Sequence, residues 1–166
     1  MDELRTTRQE IAHHEAAHVV IGAALGLGIV AVTILPDADY LGLCTFQPMP
    51  PDFQPDMYDA YDKDDPTPRL LEAHIIATMA GGIAGERAVG HYNAIGCDRD
   101  LTNALHMLCY LTGDPGNLQE AWDTLWSRTI DLVGKHWARI GTLALALLES
   151  DTLDQEATSA LLSQAA

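Results

Sequence analysis

The feature that most constrains this chain is the pentapeptide His14-Glu15-Ala16-Ala17-His18. Two histidines four residues apart point the same way from a helix, so both imidazoles can bind one Zn²⁺. The carboxylate between them then lies beside the open coordination position of the metal. Zinc lowers the pKa of a bound water to about 7, and the carboxylate can take its proton. The pattern predicts the site of a hydrolase, with Glu15 as the catalytic base and His14 and His18 as metal ligands.

The residues around the pentapeptide favour the helix that this geometry needs. Thr7 and Glu10 have the spacing of a capping box, which predicts a helix from about residue 8 to about residue 25. On that helix His13 points about 100° away from His14. We therefore expect His13 not to be a ligand.

Length and charge narrow the possible partners. A chain of 166 residues fits one domain, covering residues 1 to 166, that buries a sizeable core without a metal. The formal net charge of -15 and the pI near 4.5 argue against nucleic acid or an anionic membrane as a partner. The acidic, proline-rich stretch from residue 48 to residue 66 predicts a surface loop.

The compartment is expected to be the cytoplasm. The longest apolar run, residues 19 to 35, contains glycines and continues from the charged motif helix, so it predicts a helix end and a buried strand rather than a membrane span. The first residues lack the basic and apolar regions of a signal peptide. Cys44, Cys97 and Cys109 have no Cys-x-x-Cys spacing, which indicates reduced thiols rather than disulfides or zinc ligands.

The predicted fold class is mainly α, a single helical domain with a small antiparallel β-ribbon after the motif helix. Strands are expected at residues 29 to 35 and 40 to 47. Further helices are expected at residues 68 to 89, with Thr67 as N-cap, and from the N-cap Asp98 to residue 111. A helical pattern from residue 118, after the cap Asn117, to about 149, broken near Gly134 or Gly141, and a short helix after Asp154 complete the prediction.

A catalytic zinc needs a third protein ligand, and the residues alone leave several candidates. The extended metzincin pattern fails, because Ile21 and Ala24 stand where it needs glycine and histidine. A site of the gluzincin kind would use Glu72 or Glu86 from a downstream helix. The other histidines stay open as candidates: His74, His91, His106 and His136.

Five segments, in order along the chain, resemble the peptidase domain of the FtsH-type, membrane-anchored, ATP-dependent zinc proteases. Residues 14 to 18 resemble its His-Glu-Ala-Gly-His motif, and residues 96 to 101 resemble its Gly-Ala-Ser-Asn-Asp-Leu segment. Residues 146 to 154 are similar to its Ala-Leu-Leu-Glu-x-Glu-Thr-Leu-Asp. The other two segments are its strand after the motif, at residues 32 to 36, and its small-residue helix, at residues 80 to 87.

The resemblance implies that Asp100 is the third zinc ligand, placed in the first turn of a helix with Asp98 at the capping position. The chain also departs from that family. No Gly-x-x-x-x-Gly-Lys-Ser/Thr loop for an ATPase occurs, no membrane anchor is expected, and Ala17 replaces the motif glycine.

The sequence therefore predicts a stand-alone zinc-dependent endopeptidase that hydrolyses peptides or unfolded proteins. Glu15 is its catalytic residue, and His14, His18 and Asp100 bind Zn²⁺. An extended substrate is expected to pair with the edge of the strand at residues 40 to 47. The alternative is a non-catalytic zinc-containing adaptor or regulator that binds peptides or a separate partner ATPase. Oligomers are possible under either interpretation.

Overall fold

The motif lies on a long first helix. A computed structural model describes residues 7 to 51, 53 and 64 to 164, and in it α1 spans Arg8–Ala24. The Thr7 hydroxyl accepts a hydrogen bond from the Glu10 N–H at 3.1 Å, which is the N-terminal half of the predicted capping box. Gly26, at φ +86°, turns the chain after the helix. Most of the predicted acidic loop lies outside the described residues.

The chain continues into a small antiparallel sheet. Strand β1 (Ile29–Thr33) pairs with β2 (Leu43–Phe46), which confirms the predicted ribbon with shorter strands. On its other side β1 pairs with β3 (Thr152–Asp154), so the strand order is β2-β1-β3. The sequence analysis did not predict β3, because a three-residue strand is too short to show an alternating pattern.

Helices make up most of the rest. Six α-helices occur within the described part of the chain, and the prediction of a mainly helical single domain is confirmed. After α1 they are α2 (Thr67–Val89), α3 (Ala94–Thr112), α4 (Leu118–Lys135), α5 (Trp137–Ser150) and α6 (Gln155–Gln164).

Two predicted helix starts were wrong. Thr67 is the first residue of α2, and the N-cap is Pro66. The Asp65 carboxylate accepts a hydrogen bond from the Thr67 N–H at 2.8 Å. Asp98 is likewise not a cap. Helix α3 begins one turn earlier, where the Asn93 side chain accepts from the Gly96 N–H at 2.9 Å. The predicted break near Gly134 is confirmed, since α4 ends just before His136.

Helix α1 is the centre of the core, packed on α2 along one side and on α5 along another. Its fully buried positions are small or β-branched, which allows this close packing: Ala12, Ala16, Ala17, Val19, Val20 and Ile21. Helices α3 and α4 pack against α2, and the sheet covers one end of α1. Among the described residues, every helix is too short or too polar to cross a lipid bilayer.

Candidate metal centre

Three side chains from two helices meet at one point. His14 and His18, one turn apart on α1, both point Nε2 at the same oxygen of Asp100 on α3. The distances to Asp100 Oδ2 are 2.8 Å from His14 Nε2 and 3.2 Å from His18 Nε2. Potential ligand atoms of the three residues all lie within 4.8 Å of one another. The structure thus brings together the three residues predicted to bind zinc.

Asp100 reaches this point from a different position than expected. Because α3 begins at Ala94, Asp100 lies in its second turn, and the helix, rather than its N-terminus, directs the carboxylate towards α1. The expectation of a first-turn aspartate was therefore wrong, although its side chain meets the histidines. Asp98, two residues earlier, is exposed and lies outside the cluster.

A backbone carbonyl orients one of the imidazoles. His18 Nδ1 lies 2.8 Å from the carbonyl oxygen of Ala77 on α2. A carbonyl only accepts, so Nδ1 carries a proton and donates it, which leaves Nε2, the atom that faces Asp100, as the nitrogen that would bind a metal after losing its proton. Histidines that bind a metal through one ring nitrogen usually donate a hydrogen bond from the other, which fixes the orientation of the ring.

A glycine on α2 leaves the space in which the two imidazoles meet. A Cβ atom at Gly81 would lie 2.6 Å from Nε2 of His14 and 2.6 Å from Nε2 of His18. Real Cβ contacts are essentially never that short, so any side chain at Gly81 would occupy the site itself. Gly81 therefore lines the cluster without filling it.

The three groups strongly affect one another's charge. Burial alone would lower the pKa of His14, but hydrogen bonds to Asp100 and Cys97, with the charges of Glu15 and Asp100, raise it to about 10. Burial opposes ionisation of Asp100, yet the charge of His18 and bonds from both histidines hold its pKa well below the usual range. The cluster therefore holds positive charge tightly, and a metal cation would compete with protons there.

Glu15 lies beside the cluster in a confined position. Its side chain is buried, and Oε2 has no hydrogen-bond partner among the described residues. Burial raises the pKa of Glu15, opposed by the charges of His14 and His18. A Cβ at Gly42 would lie 2.7 Å from Glu15 Oε1, so this glycine holds the chain close against the carboxylate.

The cluster opens into a groove of about 970 Å³. One wall is α1, another is the start of α3, and the third is the segment from residue 37 to β2. β2 is an edge strand of the sheet, paired only with β1 among the described residues. The Arg99 guanidinium lies 3.4 Å from the Asp39 carbonyl oxygen, which ties α3 to that third wall.

The donor set suits zinc. Two imidazole nitrogens and one carboxylate oxygen leave a fourth position open, which is the composition of catalytic rather than structural zinc sites. Tetrahedral ligands at about 2.0 to 2.2 Å from zinc lie about 3.3 to 3.6 Å apart. The nitrogen to oxygen distances of 2.8 and 3.2 Å are shorter than that spacing, so the side chains would separate by less than about 1 Å to hold the metal. The partly buried thiol of Cys44 belongs to no group of possible ligands among the described residues, and burial with the charges of Glu15 and Asp100 raises its pKa.

The alternative third ligands lie outside this cluster. Glu72 forms an ion pair with Arg128 on α4, and the His74 ring packs edge-on against Phe46. The remaining four belong to no group of possible ligands within the described part of the chain: Glu86, His91, His106 and His136.

His13 faces away from the metal ligands, as its position on the helix predicts. Its ring stacks on Trp137 of α5 with the centroids 5.5 Å apart, and its Nδ1 lies 2.8 Å from the Gln9 carbonyl oxygen. His13 therefore contributes to the contact between α1 and α5.

Sequence reasoning missed the residues that shape the site without binding anything. Gly81 was noted only as one of several small residues that permit close approach, and the roles of Gly42 and the Ala77 carbonyl were not foreseen. A glycine in a helix signals a close contact but not the atom it contacts, and a backbone carbonyl carries no sequence signal.

Comparison with known proteins adds no assignment. No model of a known protein family matches the chain, and no curated protein sequence matches it.

Proposed function

We propose that this protein is a zinc-dependent endopeptidase, related to the peptidase domain of the FtsH-type proteases that its motifs resemble. The observation that carries the proposal is the convergence of His14 Nε2, His18 Nε2 and Asp100 Oδ2 beside a buried glutamate with an unpartnered oxygen. The two histidines and the aspartate would hold the metal. The carboxylate of Glu15 would not.

Each residue has a distinct part in the proposed reaction. When bound, zinc supplies Lewis-acid activation of a water molecule and polarises the peptide carbonyl. Glu15 takes a proton from the attacking water and gives it to the leaving amine when the C–N bond breaks. The burial that raises the pKa of Glu15 suits this exchange, because it brings a carboxylate closer to neutral pH as a proton acceptor and donor.

The groove suggests extended peptides or unfolded chains as substrates. The outer edge of β2 offers backbone groups to an added strand, and it lies along the same groove as Glu15. Main-chain pairing of this kind requires an unfolded segment. The 166 residues contain no Gly-x-x-x-x-Gly-Lys-Ser/Thr loop, so unfolding of a folded substrate would need an ATPase outside these residues.

A cytoplasmic location is part of the proposal. Cys44, Cys97 and Cys109 are all unpaired in the structure, which suits a reducing compartment.

The test compares Glu15→Gln with the unmodified protein in cleavage of casein, with zinc content measured on the same samples. Glutamine keeps the shape of the side chain but cannot accept a proton. Cleavage should fall by about a thousandfold or more while about one zinc per chain remains bound. Equal cleavage by both proteins would remove Glu15 from the reaction. Zinc binding without cleavage by either protein would favour the adaptor interpretation.

A further inference from the structure

A second buried carboxylate lines the groove, and the proposed reaction does not use it. Glu10 lies on α1 one turn before His14, on the same face of the helix as the two zinc-binding histidines. Its relative exposure is 5 %, and its Oε2 has no hydrogen-bond partner among the described residues. Within that part of the chain it forms no ion pair either.

Such a group needs an explanation, because proteins rarely bury a carboxylate without a partner. A role in capping α1 does not explain it. The hydrogen bond of Glu10 to Thr7 uses the backbone N–H and not the carboxylate. Packing does not explain it either, since an apolar side chain would fill the same space against α2 at less cost.

The Glu10 side chain lies against Gly85 of α2, one turn beyond the Gly81 that gives room to the histidines. A Cβ at Gly85 would lie 3.4 Å from Glu10 Cγ, which is an ordinary contact distance. Two glycines on α2 thus lie opposite three polar residues of α1. Glu10 and His14 both line the groove.

The charge of the groove indicates the kind of partner. Its rim carries the exposed carboxylates of Asp37, Asp39 and Asp98, and the one Lys or Arg among its described lining residues is Arg99. With a formal net charge of -15, the chain attracts cations and repels acidic peptides.

We propose that Glu10 is a specificity-determining residue that binds a cationic nitrogen of the peptide substrate. This inference rests on the proposed function for its setting, but it concerns binding rather than cleavage. Four residues of helix rise by about 6 Å, and an extended peptide advances by about 3.3 Å per residue. The cationic group is therefore expected within about two residues of the scissile bond.

The binding test works without cleavage. In the zinc-loaded Glu15→Gln protein, fluorescence anisotropy measures the affinity for a short, unstructured, N-acetylated peptide with a single Lys and for the same peptide with norleucine in its place. A third peptide has norleucine and a free N-terminus, so its only cation is the terminal ammonium. Comparing it with the Lys peptide shows whether Glu10 binds a terminal ammonium or a side-chain ammonium. At least one cationic form should bind about tenfold more tightly than the acetylated norleucine peptide.

Adding Glu10→Gln should abolish that difference, whereas adding Asp98→Asn, on the exposed rim of the same groove, should preserve it. Zinc content should be equal in all of these proteins. Equal affinity for all peptides, or an unchanged preference after Glu10→Gln, would overturn the proposal.

Cleavage provides a separate measurement. With Glu15 intact, mass spectrometry of the products should place the cut at a constant spacing from the cationic group, within about two residues of it. After Glu10→Gln the cuts should lose this constant spacing and be spread along the peptide, and kcat/KM for the cationic peptide should fall. If peptides bind as predicted but none is cleaved by any protein, the proposed function fails and the role of Glu10 stands. Constant spacing in the Glu10→Gln protein would assign the selection to another residue.

Discussion

Helix α1 has two packed faces, and they are built in opposite ways. The face towards α2 carries three polar residues, Glu10, His14 and His18, against a helix whose Gly81 leaves room for the two imidazoles. The face towards α5 is filled by direct side-chain contact, including the stack of His13 on Trp137. Adjacent histidines on one helix thus have different roles, and what separates them is the amount of space the neighbouring helix leaves.

This contrast predicts that filling the space on the face towards α2 has the largest effect on zinc binding and cleavage. In Gly81→Ala the new methyl group would lie 2.6 Å from both Nε2 atoms, so the imidazoles must separate. Stoichiometric zinc binding and peptide cleavage should both be lost, while circular dichroism shows that the helices remain.

The matched control is Gly141→Ala on α5, where a Cβ meets nothing within 4 Å. That substitution should leave zinc binding unchanged and raise the free energy of unfolding by about 0.5 to 1 kcal/mol, because alanine favours a helix over glycine. Tight zinc binding by the Gly81→Ala protein would show that the metal cluster does not need a glycine at this position.

The next effect in size concerns the ligand from α3. Asp100→Asn replaces a charged oxygen ligand by a neutral amide, and since changes to groups that merely support a ligand cost about 10 to 100-fold in metal affinity, the loss should exceed that. Asp98→Asn, on the exposed side of the same helix, should change zinc affinity by less than about twofold. Titration with a competing chelator measures both. Similar affinities for the two proteins would exclude Asp100 as a ligand.

A smaller effect is expected where the chain passes close to Glu15. In Gly42→Ala the added methyl would lie 2.7 Å from Glu15 Oε1, so the carboxylate must move. A displacement of about 1 Å costs about a hundredfold in rate, whereas the three ligands are not touched. We expect kcat to fall with zinc content unchanged. A parallel loss of zinc would mean that Gly42 supports the metal cluster rather than the base.

The smallest effect is expected on the face of α1 towards α5. His13→Ala removes the stack on Trp137 but no part of the metal cluster. The free energy of unfolding should fall by about 1 kcal/mol in urea denaturation, with zinc content and cleavage unchanged. A loss of zinc from this protein would show that the two faces are not independent.

These two faces also show what the sequence could predict. The spacing of His14 and His18 predicts a shared direction on a helix, and the angle of His13 predicts that it points elsewhere, because both follow from helical periodicity alone. The strand β3 and the early start of α3 were missed. The first is stabilised by pairing with a distant strand, and the second by a local side-chain cap on a residue not considered.

The third ligand could be predicted only in part. From the residues alone Glu72, Glu86 and four histidines all stayed open as candidates, because no spacing rule links residues on different helices. Only the family resemblance pointed to Asp100. The reason given for its position was wrong, yet the structure places its carboxylate 2.8 Å from His14 Nε2. The space at Gly81 could not be predicted from the sequence, because it depends on how α1 and α2 pack against each other.

The most direct test of the central claim is a crystal structure of the zinc-loaded protein with an anomalous-scattering map recorded at the zinc edge. We predict one strong peak, bound by His14 Nε2, His18 Nε2 and a carboxylate oxygen of Asp100, with Glu15 near the metal but not among its ligands. A peak at Glu72, at Glu86 or at another histidine, with Asp100 turned away, would contradict the account, as would a map with no peak between α1 and α3.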